Sequence, residues 1–210
     1  MIRVQRFVNQ LLSSNCYIVY DDETKKALII DPGSEESKKE IDFIENNHLH
    51  PDYIILTHEH TDHNWGVNAL KEKFPELKLI CSELCDKQVK RTSRIFFSCY
   101  CDNPDYIYTI APADILVKSD EDVLKWNEID ILFVMTPGHS KASICIDING
   151  MLFTGDTIIP YPRYLNKKDG NLEEWNKSIK KLTSIYNNYT KVYPGHGDTI
   201  ELSKWIESYY

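Results

Sequence analysis

No stretch of this chain approaches the ~20 consecutive apolar residues of a membrane-spanning helix, so neither a spanning helix nor a membrane partner is expected. The opening MIRVQRFVNQLL lacks the continuous apolar core and the small-residue cleavage site of a secretory signal; a soluble, cytoplasmic protein is the expectation. Positive charge is in deficit: 24 Lys and Arg stand against 32 Asp and Glu, a net charge of −8. The nearest thing to a basic run, KRTSR at Lys90 to Arg94, reads as a solvated helix end. An acidic surface repels phosphate backbones, so nucleic acid is not an expected partner. Cysteine is sparse and wrongly spaced for a zinc knuckle: of six, Cys81 and Cys85 form C-x3-C and Cys99 and Cys101 form C-x-C. In a reducing compartment these read as core or surface thiols.

What is present suits one α/β domain spanning residues 1–210. The chain is 42% apolar and 27% charged, with no linker and no obvious repeat. IRVQRFV, NCYIVYD and ALIID read as strands, and DPG at Asp31 to Gly33 ends the third. Ser34 is placed to cap a following helix, with Glu35 and Glu36 at its positive end and Ile41 and Ile44 on its apolar face. DYIILT from Asp52 reads as a buried strand. Trp65, Val67, Leu70 and Phe74 suggest a short helix, and LKLIC at Leu77 to Cys81 a further strand. An aromatic segment within residues 93–110, with Phe96, Phe97, Tyr100, Tyr106 and Tyr108, is either a loop packed by its own rings or the wall of a pocket. Strands resume at EIDILFVMTPG, ASICIDI and MLFTGD. Leu172, Trp175, Ile179, Leu182, Tyr186 and Tyr189 predict an amphipathic helix, and Leu202, Trp205, Ile206 and Tyr209 a terminal one.

Histidine is scarce, seven in all, which makes its distribution informative. His58, His60 and His63 fall within six residues, with Asp62 among them, behind the apolar run of DYIILT. In an extended segment alternate side chains share a side, so His58, His60 and Asp62 align, while His63, out of phase where the strand ends in a turn, aims at a neighbouring point. Imidazole and carboxylate are the ligands zinc or iron takes, and crowding them without a cation costs desolvation and repulsion. Three more candidates stand at the ends of apolar strands: His139 in VMTPGHS, Asp156 in LFTGDT and His196 in VYPGHGD. His48 and His50 lie in a polar turn and read as solvated.

The order THEHTDH, TPGHS, FTGDT, PGHGD, preceded by NCYIV and IIDPG, resembles the metallo-β-lactamase fold superfamily over nearly the whole chain. The resemblance implies a four-layer αβ/βα sandwich with a metal site at one edge. By motif position it assigns His58, His60 and His139 to a first metal, Asp62, His63 and His196 to a second, and Asp156 to both. Two zinc ions are the expected cofactors, with iron or manganese as alternatives. Asp31 is either an acid behind the metals that holds a ligand or loop by hydrogen bonds, or a turn residue before Pro32.

Aspartate at 156 points to the glyoxalase II-like branch, in a short form without that enzyme's C-terminal glutathione-binding helical region. The implied activity is hydrolysis of a small thioester, ester or lactone by a metal-bound hydroxide, with Asp62 also orienting the nucleophile and handling a proton. The loop TIIPYPRYLNKKDGN and the segment GHSKAS depart from that branch's usual GxxGR and GHTPGS, which puts a glutathione thioester in doubt. Lys141, Tyr161 and Arg163 are candidate substrate contacts or solvated loop residues. Alternatives to the hydrolase are a persulfide dioxygenase with one iron and a non-catalytic binding protein on the same scaffold.

Overall fold

A computed structural model describes residues 1–89, 106, 108–163, 165 and 170–209. Two six-stranded sheets lie face to face. The first contains β1 (Ile2–Val8), β2 (Asn15–Asp21), β3 (Lys26–Ile30), β4 (His50–Ile55), β5 (Lys78–Ser82) and β6 (Ile115–Val117), in sequence order across the sheet. The second runs β12 (Ile200–Glu201), β11 (Lys191–Pro194), β10 (Met151–Gly155), β9 (Ile144–Ile148), β8 (Ile129–Met135), β7 (Val123–Trp126). Helices α1 (Lys38–Asn46), α2 (Val67–Lys73) and α3 (Glu83–Val89) cover the outer face of the first sheet. Helices α4 (Leu172–Ile185) and α5 (Leu202–Tyr209) cover that of the second. This is the four-layer sandwich the sequence implied.

Strand periodicity builds the layers. Along β3, Ala27 and Ile29 join the core beneath the helices, whereas Leu28 and Ile30 face the opposite sheet. β2 divides likewise, Cys16 and Ile18 outward, Tyr17 and Val19 inward. Burying each such aliphatic chain contributes about 1.5–3 kcal/mol. Between the sheets Tyr17, Phe153 and Tyr193 form an aromatic trio with ring centroids 4.7–5.6 Å apart. Because these strands have apolar residues on both faces, a slip of one residue would not expose a polar face; register is fixed instead by hydrogen-bonded pairs such as Tyr17↔Ile30 and Phe153↔Tyr193.

Several local expectations are corrected. Helix α1 begins after Ser37, a residue in the left-handed region (φ 43°) whose side chain makes no capping bond. Ser34 Oγ is instead engaged by the amide of Gln10 at 3.0 Å, and Glu35 accepts a hydrogen bond from Tyr106 Oη at 2.8 Å. α4 stops at Ile185: Tyr186 is already extended and Tyr189 is 85% exposed, so the apolar stripe outlasts the helix. Cys81 and Cys85 are buried free thiols in the outer core; Cys99 and Cys101, the Lys90–Arg94 run, and Phe96, Phe97 and Tyr100 lie outside the described residues. Tyr106 and Tyr108 pack on the first sheet's outer core, where Trp65 Nε1 donates to Tyr106 Oη at 2.8 Å and Tyr108 Oη donates to the Asn64 carbonyl. No helix among the described residues is long and apolar enough to cross a membrane.

Candidate metal centre at the carboxyl ends of the strands

Five strands deliver the candidate residues from their carboxyl ends. Asp31 follows β3 directly, His58 lies just beyond β4, His139 beyond β8, Asp156 directly after β10 and His196 just beyond β11. Strands β8, β10 and β11 run the same way, β8 and β10 each being antiparallel to β9 and β10 being parallel to β11. Their loops therefore open on one rim, and backbone bonds join that rim to the first sheet: Ile144 N to Thr57 O at 2.9 Å, Asn15 N to Gly195 O at 2.6 Å, and an isolated bridge between Ser14 and His196.

His60 keeps extended backbone, but the residues after it do not. The chain leaves the sheet after Ile55, and Thr61–His63 form a 3-10 turn. The turn, rather than strand alternation, separates His58 and His60 from Asp62 and His63. His60 Nδ1 lies 3.0 Å from both His58 Nε2 and His139 Nε2, and His139 Nε2 lies 3.4 Å from Asp156 Oδ2. On the other side, His63 Nε2 lies 3.4 Å from Asp62 Oδ2 and 3.5 Å from Asp156 Oδ1. His196 Nε2 is 3.3 Å from Asp62 Oδ2 and 3.6 Å from Asp156 Oδ2. Two adjoining sets result, His58–His60–His139–Asp156 and Asp62–His63–His196, the ligand atoms of each set within 4.8 Å of one another. Asp156 touches both.

Local chemistry points ring nitrogens inward. The Asp31 carboxylate only accepts, so His63, whose Nδ1 is 3.0 Å from Asp31 Oδ2, carries a proton there and turns to the centre an Nε2 that is bare when an ion takes that spot. Thr57 donates its hydroxyl to Asp31 Oδ2 at 2.6 Å and its amide to Oδ1 at 2.8 Å. Its oxygen is then free to accept from His58 Nδ1 at 3.0 Å, which leaves His58 Nε2 bare as well. Asp31 is therefore more than a turn residue, though its backbone is left-handed (φ 52°) as a turn would have it. A third grouping, Asp31–His58–His63, is accounted for by these bonds.

The residues fit a cation. His63 Nε2 and Asp156 Oδ1 are buried without a hydrogen-bond partner, an arrangement that costs free energy unless something positive sits between them. Ligands about 2.0–2.1 Å from a tetrahedral ion stand about 3.3–3.4 Å apart, close to the separations seen. Burial holds His58 far below the usual imidazole range, helped by the surrounding His63, His60 and His139, so it is a neutral donor. Burial and then His139 lower His60 in the same way. Burial alone would raise Asp62, but His63 and His196 outweigh it and keep the carboxylate ionised. Burial likewise opposes charge on His63, yet Asp62, Asp156 and Asp31 outweigh it and raise its pKa, so this spot favours positive charge, carried by the ring itself when no ion is bound. Close packing excludes larger residues here: a methyl at Gly195 would lie 2.3 Å from Asp156 Oδ1 and 2.8 Å from His63 Cε1.

The three candidate substrate contacts are scattered along the rim. Lys141 is exposed. Tyr161 is exposed but lies against Gly197, where an added methyl would come within 2.8 Å of its ring. Arg163 stacks on Trp175, its guanidinium carbon 5.4 Å from a ring centroid. Tyr161 and Arg163 share a cavity of about 550 Å³ with Ile159, Pro160, Pro162 and Ser208. His48 and His50 are exposed, at the amino end of β4 and away from the rim. Supporting residues that the motif did not announce are Asn9, Ser14, Asn15, Glu59 and Ser140; Ser140 Oγ donates to Glu59 Oε2 at 2.8 Å, tying the His58–His60 loop to the His139 loop. The only signal available for these was adjacency to a motif, as Asn15 has in NCYIV and Ser140 in TPGHS.

Comparison with known proteins agrees with this architecture. Hydroxyacylglutathione hydrolase 1 of Vibrio vulnificus is 30% identical over 195 residues, covering 93% of this chain and 66% of that protein. The uncharacterized protein ML0493 of Mycobacterium leprae is 24% identical over 202 residues, covering 90% of this chain and 88% of that one. Among solved structures, the BLEG-1 B3 metallo-beta-lactamase matches with a TM-score of 0.83 at 24% identity, over 98% of this chain and 97% of that chain. TTHA1623 in a di-iron-bound form matches with a TM-score of 0.71 at 21% identity, over 95% of each chain. The model of the metallo-beta-lactamase superfamily matches residues 9–196, and with the two sheets, the helices outside them and the histidine–aspartate rim in place, the chain belongs to that superfamily.

Proposed function

We propose that this protein is a metal-dependent hydrolase of small thioesters, esters or lactones. In this reading His58, His60 and His139 would hold one ion and Asp62, His63 and His196 a second, with Asp156 within reach of both; two zinc ions are the expected pair. The observation that carries it is the convergence of seven side chains from both sheets on two adjoining points, with His63 Nε2 and Asp156 Oδ1 buried and without a hydrogen bond. Divalent ions bound there supply Lewis acidity and a water that ionises near neutral pH.

The chain's own residues do the rest. Asp31 and Thr57 fix the rings of His63 and His58 so that no reorientation is needed during turnover. Asp62, ionised and next to His196, would orient the attacking water. The loop from Ile159 to Arg163 offers an apolar wall with one guanidinium, suited to the acyl or thiol portion of a substrate. The Vibrio vulnificus relative's name supports a thioester as the first class to try. A second reading, a dioxygenase with one iron, is disfavoured by the completeness of the Asp62–His63–His196 set, which one ion would leave unused.

The test is metal quantification combined with a hydrolysis screen over S-lactoylglutathione, other thioesters, lactones and phosphodiesters. Two zinc ions per chain and a cleaved thioester or ester, lost on chelation and regained with zinc, are expected. One iron with oxygen uptake would replace this reading with the dioxygenase, and hydrolysis indifferent to exhaustive chelation would end it.

A further inference from the structure

We infer that the loop of the β1–β2 hairpin is the positioning element for one half of the centre, the Asp62–His63–His196 half, and that this half can be emptied without emptying the other. The inference rests on the two-ion reading above. Its basis is where the buried polar groups of the hairpin end. Asn9 Nδ2 donates to Ser14 Oγ at 2.9 Å and to the Asp31 carbonyl at 3.1 Å, with the Asp62 carbonyl at 3.4 Å. Ser14 Oγ, accepting from Asn9, passes its own proton to the Asp62 carbonyl. One pair of side chains thus holds the backbone of Asp62 and of Asp31, the residue that orients His63.

The same hairpin frames His196. Asn15 Nδ2 donates to the carbonyls of Pro194 at 2.9 Å and Gly197 at 2.8 Å, and its amide donates to Gly195 O at 2.6 Å. Tyr17 Oη adds a bond to Pro194 O at 2.8 Å, and Arg6 Nη1 one to Gly197 O at 2.7 Å. Carbonyls on both sides of His196 are therefore fixed from the first sheet, although His196 belongs to the second. Asn9, Ser14, Asn15 and Tyr17 are all at most 4% exposed, so these bonds are made in a low-dielectric setting where each broken partner leaves an unsatisfied buried group. The His58–His60–His139 half shares Asp31 with this one only through Thr57, which holds His58, and has its own tie in the Glu59–Ser140 bond between loops.

The experiment loads the metal-free full chain with zinc alone and follows two quantities: zinc affinity by chelator competition, and the imidazole nitrogen resonances of ¹⁵N-labelled protein, which report which histidines are bound. Wild-type protein is expected to take two equivalents. In Asn9→Ala and Asn15→Ala, one equivalent should weaken about 10–100-fold, the range for changes behind a ligand. His63 and His196 should return to unliganded resonances while His58, His60 and His139 keep theirs. Ser140→Ala should show the reverse pattern. If the asparagine variants fail to fold, Ser14→Ala, which removes a single hydroxyl, carries the test. Hairpin variants that lose both equivalents together, or keep both at wild-type affinity, overturn the inference. Wild-type protein that takes fewer than two equivalents overturns the two-ion reading itself, and this inference with it.

Discussion

Asp31 Oδ2 sits 3.0 Å from His63 Nδ1, both side chains buried, and the pair decides which nitrogen of His63 faces the rim. Asp31→Asn is the cleanest probe, since asparagine tolerates the left-handed backbone that Asp31 adopts (φ 52°). With its oxygen retained by the Thr57 amide, the new amide group would face Nδ1 as a donor and push the His63 proton onto Nε2. Metal affinity is expected to fall about 10–100-fold with little change in fold. Chelator competition and circular dichroism measure the two; affinity equal to wild type would refute the tautomer argument.

Gly195→Ala should be disproportionately harmful for one methyl. Its Cβ would lie 2.3 Å from Asp156 Oδ1 and 2.8 Å from His63 Cε1, contacts that only displacement of a ligand relieves. Loss of at least one zinc equivalent is expected, and kcat should fall by about 100-fold or more, in line with the effect of ångström-scale misplacement. A variant that retains two equivalents and near-normal kcat would show that the rim yields elsewhere.

Removing metal should loosen the molecule. Ions that bind only the folded state at 100 times their Kd add about 2.7 kcal/mol, which for a chain of this size raises Tm by roughly 5–10 °C. Melting curves of chelated and zinc-loaded protein, at fixed ionic strength, should differ by that amount. Identical curves would indicate that the cluster takes no ion.

Glu40 concerns stability rather than chemistry. It is 1% exposed, its Oε1 has no hydrogen-bond partner, and burial pushes its pKa up, with its own amide and Lys39 opposing. The folded carboxyl therefore keeps its proton to higher pH than the unfolded one. Stability falls as pH rises from the ordinary glutamate value of 4.5 through the higher folded value, and stays lower above it. Glu40→Gln has no such dependence, so it should match wild type near pH 4. At pH 7 it should exceed wild type by about 1–2 kcal/mol, because a carboxylate costs more to bury unpaired than a neutral amide of the same shape. Urea melts at the two pH values check this; a gap that does not widen with pH removes the explanation.

Much of the fold was legible because short apolar runs bounded by turn residues survive tertiary context. The strands through Leu28, Ile54, Ile80 and Phe153 were readable as apolar runs, and each now lines a core. The metal-binding candidates were legible for a different reason: His58 to His63 crowd into one short segment, and His139, Asp156 and His196 each stand beside a glycine at a strand end. Their supports were not. Ser14 and Asp62 are 48 residues apart, Asn9 and Asp62 53, Ser140 and Glu59 81, and no local pattern encodes a bond over such a span. The start of α1 is hidden for the same reason, since Ser34's hydroxyl serves Gln10 rather than a helix. Tyr186 and Tyr189 continue the apolar spacing of α4 past the point where the backbone turns extended, and spacing alone does not register that turn.

The bond between Ile144 N and Thr57 O and the bridge between Ser14 and His196 fasten the two sheets at the rim from which the ligands emerge. One sheet contributes residues 58 to 63 and the other contributes 139, 156 and 196, so any sliding of one half past the other would register at the centre before either half came apart. The opposite rim is tied across the sheets as well, Asn127 Nδ2 donating to Asp21 Oδ2 at 2.6 Å and to Thr24 Oγ1 at 2.8 Å and Trp126 Nε1 to Asp52 Oδ2 at 2.8 Å, but none of the ligands emerges there. Its tight Asn149–Gly150 connection lies at the amino end of β10 in open space, and insertions there should leave the alignment of the halves, and hence the spacing of the ligands, undisturbed.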